Sequence, residues 1–483
     1  MTIWYDVSGL VDWRKSHLGG IERTTAGILD GLHGLGLPLR LVHASPESAG
    51  FEPVAEERLP ESVRVMCPWL KVPARHYELA IKPPPTAAEN AAEKVAAERR
   101  TRRQRRRELI YGAGVHGEAL RNSWIAFRTA GREFVGHAGR RFGLSAWRRG
   151  RTTLSAPGPA DQPAPAASPP PSVPFTRGDV LLSLGGTFAM QGHRAAVDAA
   201  RSRGVSIVRM VYDMVPITKP HWLTPQTTQV SWLRHVVERS DVVLTISACT
   251  RRELTDYCRE AGLATPRIGL VRLGDVSTGR AADELPPLPR FVPRRPFFLC
   301  VSTLDVRKNH RCLYEAWTAL VSERGEQCPD LLCVGMSHAG VSELIHEIRH
   351  DPVVNRHLHL MPGVCDAELT WYYRNCVATI YPSKHEGWGI PVAESLAHGR
   401  LCLASSAASL REISDLPEFF APHDTPRLVA LVERSLDDPA WRTAREARIR
   451  AEFRPTTWTD TATEIIAAVG ITRDSNGMPG VAA

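Results

Sequence analysis

The chain has no apolar run approaching the roughly 18 residues needed to cross a bilayer, and its start, Met1-Thr-Ile-Trp-Tyr-Asp6, lacks a basic stretch followed by an apolar one. Both absences lead to the expectation of a cytoplasmic protein without spanning helix or signal peptide. Any C-x-x-C pair is missing too, as is a histidine partner at zinc-finger spacing. The ten cysteines are scattered, several inside apolar runs such as those holding Cys300, Cys333 and Cys402. They read as small buried hydrophobes in a reducing compartment. Apolar residues themselves are not scarce: 43% hydrophobic and 23% charged is ordinary for a globular protein and excludes general disorder. A length of 483 residues exceeds one domain, and at about 100–200 residues per domain it implies two or three. The formal net charge of +8 is unevenly spread.

Strand, glycine loop and helix open the chain in the order of a nucleotide-binding fold: Ile3 to Val7, Gly19-Gly20, then an apolar helical pattern over Ile21 to Leu32. Further strands are expected at Leu39 to His43, Val180 to Leu184, Ser206 to Val211 and Val242 to Ile246. The pattern restarts after Pro286 to Pro296 with a strand at Phe297 to Val301. Strands at Leu331 to Val334, His357 to Leu360, Val377 to Tyr381 and Leu401 to Ala404 follow, with helices between them. The fold class is therefore α/β, with two doubly wound parallel-sheet domains: residues 1–290 and 291–455, a final helix over 456–472, and a disordered tail over 473–483. An insertion over about 83–174 interrupts the first domain. It combines an arginine-rich part, Glu98 to Glu108 and then Trp124, Phe127, Phe134 and Phe142 among arginines, with a Pro/Ala/Ser linker from Ala156 to Pro174.

The strongest chemical signal is Tyr381-Pro-Ser-Lys-His-Glu386-Gly-Trp-Gly-Ile-Pro-Val-Ala-Glu394. Two glutamates eight apart are cheap by themselves, and a solvated helix face explains most such pairs. Here a strand ends at Tyr381, glycines bracket the turn, and Pro391 opens a helix in the position proline favours. Glu386 then falls at the C-terminal end of a strand, where open α/β sheets bind ligands, and Glu394 falls one turn into the helix. Carboxylates accept from hydroxyls, so a sugar ring and a ribose are suitable targets. A helix N-terminus behind glycines favours an anion.

This string resembles the E-x7-E signature of family 4 retaining glycosyltransferases, which have the GT-B fold of two facing Rossmann-like domains. Trp388 and Ile390 stand where relatives carry Phe and Leu. The resemblance implies that Glu386 contacts the transferred sugar, Glu394 the nucleotide ribose, and the backbone of Gly387, Trp388, Gly389 and Ile390 the sugar. Cys300-Val-Ser-Thr-Leu-Asp-Val-Arg-Lys-Asn309 resembles the family's loop ending in R-K-N. Lys308 and then Arg307 are the candidates for stabilising the leaving diphosphate, while Thr303 stands where many relatives have arginine. Taken alone, such a basic pair is more often a plain helix start. Gly19-Gly20-Ile-Glu-Arg23 is similar to the family's glycine loop, which places Gly20 beside the diphosphate. Tyr212-Asp213-Met-Val-Pro216 resembles H-D-x-x-P, with Tyr212 in the histidine position and Asp213 as a candidate acceptor contact. Ser247, in the S-x-x-T-R segment, is read as a helix N-cap.

The activity implied is transfer of a hexose from a nucleotide-sugar donor to a glycan or lipid-linked acceptor, with retention of configuration, in surface polysaccharide or lipopolysaccharide assembly. No Asp-x-Asp pair occurs, so no cofactor and no metal is expected. Residues 98–149 have three readings: an anionic membrane surface, a solvated helix, or nucleic acid, the last least favoured. The membrane reading places the protein peripherally at the inner face. A non-catalytic GT-B scaffold acting through the insertion is the alternative function.

Overall fold

Runs of Val, Ile and Leu bounded by turn residues form short strands covered on both faces, the pattern of a parallel sheet under helices. The first sheet contains β1 (Ile3–Asp6), β2 (Leu39–Ser45), β3 (Gly50–Pro53), β4 (Val180–Ser183), β5 (Ser206–Val211), β6 (Val242–Thr245) and β7 (Arg267–Leu270). The second contains β8 (Phe297–Val301), β9 (Asp330–Val334), β10 (Leu358–Met361), β11 (Ala378–Tyr381), β12 (Cys402–Ser405) and β13 (Glu418–Phe420). Their spatial orders are β3-β2-β1-β4-β5-β6-β7 and β10-β9-β8-β11-β12-β13. Every ladder in both sheets is parallel except β2 with β3. The computed structural model describes residues 1–11, 19–45, 50–67, 69–70, 173–222, 227–275, 289–473 and 479–481. The insertion expected over 83–174 lies outside the described residues, apart from its last two.

Six helices bear on the site: α1 (Gly20–Gly34), α2 (Ala248–Glu260), α3 (His310–Arg324), α4 (Asp366–Asn375), α5 (Ile390–Ala397) and α6 (Trp458–Val469). Residues 1–72 and 169–483 belong to one compact unit. One buried apolar cluster runs from Ile3, Leu182 and Leu244 of the first sheet to Trp388, Val392 and Leu410 of the second domain, with Trp458 and Ile465 of α6 joining it. Helix α6 follows Pro455 and opens on a reciprocal cap. The Thr457 hydroxyl accepts from the Asp460 N–H at 3.1 Å, and the Asp460 carboxylate accepts from the Thr457 N–H at 2.8 Å. It returns to the first domain and lies on α1, where a Cβ at Gly27 would overlap the Trp458 ring and one at Gly31 its carbonyl.

One expectation needs correction. The tail does not run on as disordered chain directly after α6: Ile471–Arg473 pairs antiparallel with Pro479–Val481 in a small ribbon. Each strand of the ribbon is only three residues long, and the segment contains Gly and Pro, so no apolar run marks it in the sequence. No helix among the described residues is long and apolar enough to cross a membrane. Two doubly wound α/β domains with a last helix packed back on the first constitute the GT-B arrangement.

Candidate functional site

In a sheet whose strand order reverses beside its first strand, the loops leaving the two central strands diverge and open a crevice at their C-terminal ends. In the second sheet this switch point lies between β8 and β11. The loop after β8 carries Arg307 and Lys308, and the loop after β11 carries Glu386.

Local chemistry fixes both loops. The Asp305 carboxylate accepts from the Arg307 N–H at 2.8 Å and starts the 3-10 turn Val306–Lys308. Asn309 follows in the left-handed region at φ 60°, and its side-chain amide donates to the carbonyls of Pro382 and Pro422 at 3.0 and 2.8 Å. The first turn of α3 is thereby tied to the loop after β11. That loop is braced in turn: the Lys384 N–H donates to the Arg307 carbonyl at 2.8 Å, and the Ser409 hydroxyl donates to the carbonyls of Glu386 and Trp388 at 2.9 and 3.2 Å.

The result is a buried ionic cluster. Lys308 Nζ donates to Glu386 Oε1 at 2.5 Å and to the Tyr381 hydroxyl at 2.7 Å; Arg307 Nη1 reaches Glu386 Oε2 at 2.5 Å. The Tyr381 and Ser383 hydroxyls donate to Glu386 Oε1 at 3.1 and 2.7 Å. Burial alone would raise the Glu386 pKa, but the charges of Arg307 and Lys308 outweigh it and hold the carboxyl at about 2. Burial likewise pushes the Lys308 ammonium below its usual range, against the pull of Glu386. Two cations on one carboxylate leave positive charge at the switch point, offset at longer range by Asp213 and Asp305. Such a site suits an anionic group able to draw the cations from Glu386.

Glu394 has a separate set of partners. Its Oε1 accepts from Arg23 Nη1 at 3.0 Å, its Oε2 from the Tyr373 hydroxyl at 2.9 Å, and Arg23 Nη2 also reaches Asp366 Oδ1 at 2.6 Å. Burial raises the Glu394 carboxyl above its usual range despite Arg23. Arg23 stands in the glycine-loop motif of the sequence, yet its partners come from α4 and α5, so the sequence does not expose its role. The roles of Tyr381 and Tyr373 are likewise hidden in the sequence, since each phenol touches a carboxylate only after folding.

The remaining predicted residues are placed as follows. Helix α5 begins at Ile390, and its cap is Gly389, at φ 121°, without a side-chain contribution. Trp388 is buried, with Arg272 of the first domain over its ring at 5.5 Å. A Cβ at Gly387 would overlap the Tyr212 carbonyl oxygen. That glycine is therefore required where the two domains touch, whereas the sequence reading gave it to the sugar. The Tyr212 hydroxyl is committed to the Leu184 carbonyl at 2.6 Å, and the Asp213 carboxylate accepts from the Val215 N–H at 3.1 Å while facing Arg307. Thr303 is exposed just beyond β8. Gly20 opens α1, and a Cβ there would meet open space. Ser247 caps α2 by accepting from the Thr250 N–H at 3.0 Å.

Residues 295–438 match the family described as Glycosyl transferases group 1. The C-terminal domain is a group 1 glycosyltransferase domain. Its match spans the strand before Arg307 and Lys308 and the whole Glu386 to Glu394 segment. Two curated relatives come from Escherichia coli. The chain is 23% identical over 269 residues to serotype-specific mannosyltransferase WbdA, covering 53% of this chain and 33% of that protein. It is 26% identical over 243 residues to O-antigen chain mannosyltransferase B, covering 49% of this chain and 62% of that protein. The chain thus spans less than two thirds of either relative. A solved UDP-forming α,α-trehalose-phosphate synthase from Burkholderia xenovorans, in complex with glucose-6-phosphate, aligns over 61% of this chain and 73% of that one at 15% identity and a TM-score of 0.48.

The group 1 domain also carries a groove of about 650 Å³ along edge strand β10, lined by Arg349, Arg356 and His359 among others. Strands β9 and β8 separate it from β11, so it belongs to another part of the surface than Glu386.

Proposed function

We propose that this chain is a retaining glycosyltransferase that moves a hexose from a nucleotide-diphosphate sugar to a glycan or lipid-linked acceptor in surface polysaccharide assembly. Mannose is the favoured hexose, because both Escherichia coli relatives are named as mannosyltransferases. The observation that carries the reading is the placement of Lys308 and Arg307 on Glu386 at the switch point of the group 1 domain. As the glycosidic bond breaks, negative charge accumulates on the leaving diphosphate, and the two cations pass from Glu386 to it. Glu386, freed on one side, accepts from a sugar hydroxyl, and Glu394 from the ribose. The acceptor approaches from the side of Tyr212 and Asp213. It attacks on the face that the diphosphate leaves, and a phosphate oxygen takes its proton, so no protein base and no metal is used. Residues 98–149, basic and interleaved with aromatics, hold the enzyme at an anionic membrane surface.

The test offers the full chain a panel of nucleotide sugars, with and without a chelator, and reads the anomeric configuration of any product by NMR. The reading expects transfer from one donor, with retained configuration and no loss in chelator. Inverted product, or activity that returns only with manganese or magnesium, contradicts the mechanism. Transfer from none of them favours a binding scaffold.

A further inference from the structure

We propose that Cys249, Glu253 and His385 form a binding site for a single divalent cation of the zinc class, bridging the two domains beside the ionic cluster. Cys249 and Glu253 are four apart on α2 and therefore share a face of that helix. The face meets the loop after β11, where His385 Nε2 lies 2.8 Å from Glu253 Oε1. One ligand atom from each of the three residues lies within 4.8 Å of the other two. Zinc bonds of about 2.0–2.3 Å in a tetrahedron place ligand atoms roughly 3.3–3.7 Å apart. Small side-chain rotations, with opening of the His385 to Glu253 hydrogen bond, meet that requirement.

Two observations point to a ligand at this place. His385 is 7% exposed with its Nε2 turned to Glu253, and Glu253 Oε2 is buried without a partner. Buried polar atoms are nearly always paired, and an ion between these groups engages both side chains at once. The donor set selects the ion. One sulfur, one nitrogen and one carboxylate oxygen suit zinc and its neighbours, whereas magnesium demands oxygen ligands in an octahedron. Cys249 binds as a thiolate, its proton leaving to solvent, and water completes the shell.

The sequence reading took all the cysteines as buried hydrophobes. Eight are buried, while Cys249 and Cys365 are partly open. Cys249 is also firmly placed, since the Glu412 carboxylate of the second domain accepts from the N–H groups of Ala248 and Cys249 at 2.6 and 2.8 Å. An ion here clamps α2 to the loop that carries Glu386. The His385 carbonyl also accepts from Arg307 at 3.4 Å, which links the clamp to the cationic loop.

The site stands apart from the transfer reaction and is tested without it. The full chain, stripped by a chelator, is titrated with Zn2+ in competition with a chromophoric indicator, and with Co2+ under an absorption spectrum. Expected are one ion per chain, a sulfur-to-cobalt charge-transfer band, and affinity weakened by more than about tenfold in both Cys249→Ala and Glu253→Gln. Cys365→Ser should bind like wild type, and Mg2+ should not compete. Absence of Zn2+ binding, or wild-type affinity in both variants, overturns the site and leaves a metal-free His385–Glu253 pair. If either variant is unstable without metal, the cobalt band on the wild type decides alone: a tetrahedral thiolate spectrum supports the site and its absence refutes it.

Discussion

The Lys308 ammonium is held between the Glu386 carboxylate and the Tyr381 phenol in a largely buried position. A fixed charge of this kind costs no reorganisation when negative charge develops nearby, which makes it effective in a transition state. Lys308→Ala should lower kcat by about 10²–10³ with little change in acceptor KM; an equal loss confined to KM would assign it to binding alone. The two glutamates should also separate on acidification. Glu386 sits at about 2, below its ordinary value of 4.5. The stability its charge contributes is complete above the ordinary value and is lost as pH falls towards about 2. Glu394 is displaced upward, by burial first. Its charged form costs stability near neutrality, and that cost is relieved as pH falls through the raised value. On lowering pH from 7, Glu394 therefore takes its proton first, and nucleotide affinity should weaken while the Glu386 cluster persists. Calorimetric titrations across mildly acidic pH check this: Glu394→Gln should abolish the dependence, and an unchanged dependence would exclude Glu394 as its source. At this scale Glu386, Lys308 and Arg307 were legible in the sequence because each sits in a short motif beside its strand. Arg23 was not, because Glu394 lies 371 positions away along the chain.

Among the elements, α6 carries the most specific packing. Gly27 and Gly31 give α1 a smooth face on which Trp458 lies, and a methyl at Gly31 would overlap the Trp458 carbonyl, which is backbone and cannot rotate aside. Gly31→Ala should therefore destabilise the protein by about 1–3 kcal/mol, read as a lowered denaturation midpoint; an unchanged midpoint would mean that α6 is not seated on α1. The long apolar strands were legible because burial on both faces leaves a run of Val, Ile and Leu. Strands β3, β7 and β13 were not read. They lie at or next to sheet edges, are three or four residues long, and carry polar or exposed positions, so no run marks them. The terminal ribbon escaped for the same reason.

The whole molecule joins its two domains through charge and through apolar contact. Arg23 reaches Glu394 and Asp366, Glu412 caps α2, Gly387 touches Tyr212, and the apolar cluster passes from the first sheet to Trp388 and Val392. The candidate site lies among these contacts, with Arg23 and Glu394 on opposite sides of the join, so a nucleotide bound there should also alter the fit of one domain to the other. The order of motifs along the chain made the two-domain plan legible; the contacts between the domains follow from three-dimensional placement and were not. The central claim is that Lys308 and Glu394 bind the diphosphate and ribose of one nucleotide. The most direct test is thermal stabilisation by UDP, GDP, ADP and dTDP for the wild type, Lys308→Ala and Glu394→Ala. The account predicts that one nucleotide raises the midpoint of the wild type and of neither variant; stabilisation that survives in both variants, or none by any nucleotide, would contradict it.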